Sequence, residues 1–296
     1  MINKQAFSEK IMSAETQEPT GNFALRKSQR PGAFYSFGSK ILDKGQVQLA
    51  AKPNLFLETG TRYIGSPNTI QFGLSEHSSF YIGLPLTLDM QRKKSNGEVI
   101  DHSGINNLGV QGEYEFLSRS SARTAENAGV LFGITAPTGA RNVSSPWTSY
   151  FLGGTYTHTW TDWILFSSSG YLVFEGNKHI RPGNIFYFEL GGGYDLMSES
   201  KKYNLNAFLE INGQYSARDP SQSNIGIMND PTRKIIHPSG SALSDGYLLF
   251  ATPSLWYSNH DWIYQLGVSI PITQHWKNTT QVVDYFASFA ILYTLN

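Results

Sequence analysis

From about Gln46 onward, hydrophobic and polar residues alternate with a period of two, as in strands whose two faces meet different surroundings. Phe80, Ile82, Leu84, Leu86, Leu88 and Met90 fall on one face of a run, with Tyr81, Gly83, Pro85, Thr87, Asp89 and Gln91 on the other. Leu205, Ala207, Leu209 and Ile211 alternate in the same way with Asn204, Asn206, Phe208, Glu210 and Asn212. Twelve such runs can be counted, at roughly 46–59, 69–76, 79–92, 105–117, 127–138, 149–160, 163–174, 184–196, 203–216, 247–258, 262–274 and 284–296. Most are about 10 residues long, the length a tilted strand needs to cross a bilayer. An even number leaves both chain ends on one side.

The connections alternate in length. The second, sixth and tenth are very short, at Glu76–Ser79, Trp160–Trp163 and Ser258–Asp261, and the fourth and eighth are moderate. Most of the intervening ones are longer, and the ninth spans 217–245. Short turns at one end and long loops at the other are the asymmetry of an outer-membrane barrel. Trp160, Trp163 and Trp262 lie beside short turns, with Trp147 and Trp276 toward the opposite strand ends. That spacing predicts two aromatic belts one membrane thickness apart. The expected fold is an all-β, twelve-stranded antiparallel transmembrane barrel, residues 46–296, preceded by an N-terminal extension, residues 1–45.

Composition agrees once the pattern is known. Only 16% of residues are charged and 14% are aromatic, which excludes intrinsic disorder. Net charge is zero, so no nucleic-acid footprint is expected. No apolar run reaches the ~18 residues of a transmembrane helix, a test to which a barrel is blind because half of each strand is polar. There is no cysteine. The first ten residues lack the apolar region of a signal peptide; the expectation is a bacterial outer-membrane protein whose leader is already removed. The neutral total divides into +3 for residues 1–45 and −3 for the rest. The extension is either a periplasmic tail or a lumen plug, with Arg26, Lys27, Arg30, Phe34 and Phe37 as the plug candidates.

If the polar face lines the lumen, its charges are mostly acidic: Glu58, Asp89, Glu113, Glu115, Glu189, Asp195 and Glu210, with Lys52 as the basic exception. These are the candidate solute-pathway residues. In the runs at 163–174 and 247–258 both faces carry apolar residues, and the pattern does not say which face turns inward. Twelve strands fall between the eight that side chains fill and the 16 to 18 that leave an open channel, so a narrow, gated or plugged pore is expected.

No nucleophile elbow, zinc-protease helix or phosphate loop is present, and the seven histidines show no ligand spacing, so neither cofactor nor metal is expected. His77 and Ser79 share one face, which keeps a lipid-modifying barrel enzyme as an alternative. A structural or surface-recognition barrel acting through loop 217–245 is another. The partners expected are the bilayer and a small solute; the sequence does not specify an oligomer.

Several segments resemble the outer-membrane transporter family named for the meta-pathway of phenol degradation. They are Arg30-Pro31-Gly32, Ala136-Pro137-Thr138-Gly139, Leu152-Gly153-Gly154-Thr155-Tyr156, Thr252-Pro253-Ser254-Leu255-Trp256-Tyr257, Ile270-Pro271-Ile272-Thr273-Gln274 and Asp284-Tyr285. The resemblance implies a barrel channel for passive uptake of small hydrophobic or aromatic compounds, and no enzymatic activity.

Overall fold

The computed structural model describes residues 19–34, 41–59, 61–93, 98–176, 183–217, 246–276 and 282–295. Among these, fourteen strand segments form one antiparallel sheet: β1 Val47–Ala51, β2 Asn54–Glu58, β3 Thr61–Ser75, β4 Ser78–Lys93, β5 Val99–Ile105, β6 Gly109–Ser120, β7 Thr124–Thr135, β8 Ser149–Trp160, β9 Trp163–Phe174, β10 Asn184–Glu199, β11 Tyr203–Ala217, β12 Gly246–Asn259, β13 Trp262–Trp276 and β14 Val283–Leu295. β1 and β2 pair in succession with β3 on one side and β14 on the other, so they are halves of one stave. β5 and β6 divide the edge of β4 in the same way. The fold is therefore a closed twelve-stranded barrel, as the alternation predicts, and closure removes the free edges that an open sheet would expose.

All five connections at one end are two or three residues long, the fourth and eighth being tighter than the sequence suggests. Burial is inverted relative to a soluble protein. Asn206, Glu210 and Thr252 are wholly buried on the inner face, whereas Leu152, Leu190 and Leu209 lie open on the outer face. An apolar belt of this extent is what a lipid environment covers. At the short-turn end Trp163 packs on Tyr194 and Trp262 on Tyr293, with ring centroids 4.7 and 4.5 Å apart, in an outer aromatic girdle. Trp147 departs from the expected second belt: it is half-buried and packs against the inner cluster of Leu131, Phe151 and Leu172.

Strict alternation fails at several bulges, three of them within long staves. Leu88, Phe116 and Leu196 are skipped in their ladders, and each puts two successive residues on the outer face. Beyond Leu88, Met90 pairs with Tyr63 and is buried inside, while Asp89 pairs with Ile64 and forms an ion pair with Arg62. Asp89 thus leaves the set expected to line the lumen. The second run starts at Thr61, eight residues earlier than the turn-like Gly65-Ser66-Pro67-Asn68 suggests. Pro67 faces Pro85 across β3 and β4, and the flanking staves break nearby at Lys52-Pro53 and Asn106–Leu108. Pro85 has no N–H to give a continuous ladder, and its carbonyl takes the Asn106 N–H at 2.9 Å.

Candidate functional site

The lumen is built from inward side chains of all twelve staves. In β9 the inward residues include Ile164, Phe166, Leu172 and Phe174; in β12 they include Leu248, Phe250 and Trp256, all buried. This settles the two runs whose faces the pattern leaves open, and on the inner wall there apolar side chains are mixed with Ser168, Thr252, Ser254 and Ser258. The long-loop half carries two apolar clusters on opposite walls. One joins Phe56, Tyr63, Met90, Leu248, Phe250 and Phe286; the other joins Leu131, Phe151, Leu172, Phe174, Ile185 and Tyr187.

Residues 19–34 lie inside the short-turn half. Two 3-10 turns, Gly21–Phe23 and Lys27–Gln29, bring polar groups against the wall. Asn22 is the best anchored. Its N–H donates to Thr161 O at 2.7 Å, its Nδ2 donates to Trp160 O at 3.1 Å, and its Oδ1 accepts from Asn206 Nδ2 at 2.7 Å. Asn204 Nδ2 donates to Gly21 O at 2.8 Å, and Lys201 N–H to Ala24 O at 2.8 Å. Gly21 has φ +60°, and a Cβ there would stand 2.0 Å from Thr161 O, so only glycine allows this approach. Gln29 Nε2 donates to Thr294 Oγ1 at 2.7 Å, and Gln48 Nε2 to the same hydroxyl at 2.9 Å.

Of the plug candidates, Arg26 donates to His260 O at 2.7 Å and stands 3.6 Å from Asp261. Lys27 pairs with Glu115 at 3.0 Å and donates to Glu76 O at 3.3 Å. Arg30 lies over the Phe23 ring, 4.8 Å from its centroid. Burial pushes the Arg30 guanidinium below its ordinary value, and Asp43 acts in the opposite direction; an arginine so shifted stays charged. Phe34 is buried, and its N–H donates to Glu210. Phe37 lies outside the described residues.

Among the other expected lumen residues, Glu58 is buried at the long-loop end of β2. Glu113 accepts from Gln111 Nε2 at 3.0 Å. Glu189 accepts from Ser168 Oγ at 2.6 Å, and Asp195 from Ser198 Oγ at 2.9 Å and Asn204 Nδ2 at 3.1 Å. Glu115 also accepts from Asn127. Lys52 sits at the break between β1 and β2 and lines a lumen cavity of about 260 Å³. The cavity lining combines the charged Lys27, Arg30, Glu113 and Glu115 with the apolar surfaces of Tyr81, Phe166, Trp256 and Leu292. The arrangement is amphipathic, with Glu113 and Glu115 engaged by neighbouring donors.

His77 and Ser79 are not arranged as a catalytic pair. Ser79 is buried and its Oγ accepts the Leu42 N–H at 3.0 Å, fixing the chain as it enters β1. His77 is exposed in its turn, with Nδ1 3.9 Å from Glu115. Asn22, Asn204 and Asn206, which do most to seat the segment, were not singled out by the sequence. Their signal is weak: Asn204 and Asn206 occupy successive inward positions next to a short turn, where a solvated wall would tolerate any polar residue.

The class defined by these features is a closed β-barrel with an N-terminal segment lodged in its lumen. No protein-family model matches the sequence, and none of the curated proteins matches it. The fold is similar to the crystal structure of an outer-membrane channel from Pseudomonas putida F1, at TM-score 0.57 and 11% identity over 90% of this chain and 99% of that one. Weaker likenesses include LpxR from Salmonella typhimurium, at 0.46 and 8% over 83% and 99%, and the KdgM porin in complex with oligogalacturonate, at 0.44 and 10% over 83% and 99%. At these identities the likeness is one of fold.

Proposed function

We propose that this protein is a channel of the bacterial outer membrane for passive passage of small hydrophobic or aromatic solutes, with its short turns in the periplasm. The observation that carries the reading is the amphipathic cavity inside the barrel, closed off along much of one side by residues 19–34. The aromatic and aliphatic side chains of that cavity favour apolar solutes, and its lining charges oppose one another, Lys27, Arg30 and Lys52 against Glu113 and Glu115. The likeness of fold to an outer-membrane channel supports the same reading, as do the motifs resembling the phenol meta-pathway transporters. Residues 1–45 act as a lumen plug joined to the barrel of residues 46–296. The engagement of Ser79 by the Leu42 backbone speaks against the lipid-modifying alternative. Of loop 217–245, on which the surface-recognition alternative depends, residues 218–245 lie outside the described residues.

Planar-bilayer recording tests the proposal. The full chain is expected to give small or rare current steps, and a chain beginning at residue 41 clear, sustained ones. Equal conductance in the two would overturn the plug. Failure of either to admit small aromatic solutes into liposomes would overturn the channel.

A further inference from the structure

The two halves of the lumen differ in a way that the lodged segment does not account for. It occupies the short-turn half and packs there against a buried wall that includes Ile164, Phe166, Phe208, Trp256 and Ile263, yet along β6, β7 and β8 the same half keeps a wetter wall. Ser118 and Ser120 face inward and are exposed, and Asn127, Thr155 and Thr157 are only half-buried. The described polar contacts of residues 21–34 run mainly to β10, β11 and the turns at Trp160–Asp162, Ser200–Lys202 and His260–Asp261. On the opposite wall Lys27 reaches Glu115. A polar strip along β6, β7 and β8 is therefore left beside the segment, and it is continuous with the cavity.

Toward the long loops the wall residues are themselves packed like a core. Phe250 is 2% exposed and Leu172 1%, and at mid-height, where the packing begins, Glu210 and Thr252 are 0% exposed. Phe34 joins the two regions. It belongs to the Phe56–Phe250–Phe286 cluster, it gives its N–H to Glu210, and it rests against Gly267, where a Cβ would come within 2.6 Å of its ring.

Resting on the channel reading above, we infer that the barrier to passage lies in the long-loop half. It is an apolar gate made by wall side chains, with Phe34 as its inner stop, and the cavity below is a vestibule open to the short-turn side while the gate is shut. A narrow apolar section excludes water and ions, so a solute crosses it by exchanging hydration for contact with Phe250, Phe286 and their neighbours. Ions lack that exchange. Specificity for apolar solutes therefore resides in the gate, and the 3-10 turns of the segment serve to hold Phe34 in place. Withdrawing Phe34 takes the N–H donor from buried Glu210, which couples movement of the segment to loss of packing above it.

The absence of native cysteine makes the test direct. Single-cysteine variants are labelled in detergent with a small charged methanethiosulfonate. Thr157→Cys, in the vestibule, is expected to react readily, and Thr252→Cys about a hundredfold more slowly, since a buried site labels only through local opening. Adding Phe34→Ala is expected to speed Thr252→Cys about tenfold or more and to leave Thr157→Cys unchanged. The inference is overturned if Thr157→Cys is as protected as Thr252→Cys, or if Phe34→Ala leaves Thr252→Cys as protected as before. Ser269→Cys, 2% exposed and hydrogen-bonded to Thr252, replaces Thr252→Cys if that variant does not fold. Labelling reads accessibility without transport, so a barrel that fails the liposome assay can still pass this one, and the two failures are distinguishable.

Discussion

Asn206→Leu should release residues 21–34 from the lumen without unfolding the barrel. Asn206 is wholly buried, and its Nδ2 supplies the hydrogen bond that Asn22 Oδ1 receives at 2.7 Å. A leucine of similar size keeps the space filled but leaves that oxygen buried without its donor, at a cost of about 1–3 kcal/mol. The cost falls on the docked segment and not on the strand ladder, because the backbone pairing of Asn206 with Asp195 and Trp256 is untouched. A difference of that size raises the undocked population by about 5–150-fold. Trypsin reads it, since Arg26 and Lys27 become cleavable only when the segment is out, and the rate follows the open population when reclosing is fast. The peptide ending at Lys27 should appear correspondingly faster in Asn206→Leu. Equal rates in variant and parent would mean that the asparagine pair does not hold the segment.

The second large effect is expected on the outer surface. Leu190 lies in the middle of β10, opposite Ser167 on β9 and Ile211 on β11, and is 62% exposed. In water such a residue tolerates replacement by a charge. At the middle of a bilayer, arginine on the outer face of a barrel costs about 2–4 kcal/mol, falling to about 0–1 kcal/mol near the interface. Leu190→Arg is therefore expected to lower the urea midpoint of the barrel refolded in lipid vesicles well below that of the parent, and Tyr194→Arg, beside Trp163 in the girdle, to lower it little. An unchanged midpoint for Leu190→Arg would remove the lipid-facing assignment of the belt.

Much of the architecture was legible because the period-two pattern is imposed by the physics of a two-faced wall, and because a barrel repeats it stave after stave. The even strand count and the alternation of turn and loop follow from the same source. What escaped was local. A bulge adds one residue, and beyond it every inward position becomes outward, so Asp89 and Met90 exchanged faces on account of Leu88 alone. Pro67 reads as a strand breaker because its missing N–H is fatal in a continuous ladder, and a neighbouring stave broken at Lys52-Pro53 removes that objection. In β9 and β12 large apolar side chains stand on the inner wall as well as the outer, so alternation of hydropathy reports little there.

The candidate site was legible in part. Carboxylates on the inner face of strands stand out by charge, and Glu58, Glu113, Glu115, Glu189, Asp195 and Glu210 all face the lumen. Their partners do not stand out, since a segment nearly two hundred residues away supplies the Phe34 N–H to Glu210. The asparagines that seat the segment are chemically indistinguishable, in sequence, from residues that merely face water.

Thr294 has a consequence for how the molecule is assembled. One hydroxyl near the last residue accepts both Gln48 from the first strand and Gln29 from the segment ahead of it. The first-made part of the chain is thus tethered by the last-made, and sealing the cylinder at the β1–β14 seam completes the berth for the segment in the same step. A barrel still open along that seam lacks the Gln29 tether of its own stopper, so the segment is held more loosely in an immature molecule and gains its last anchor on closure.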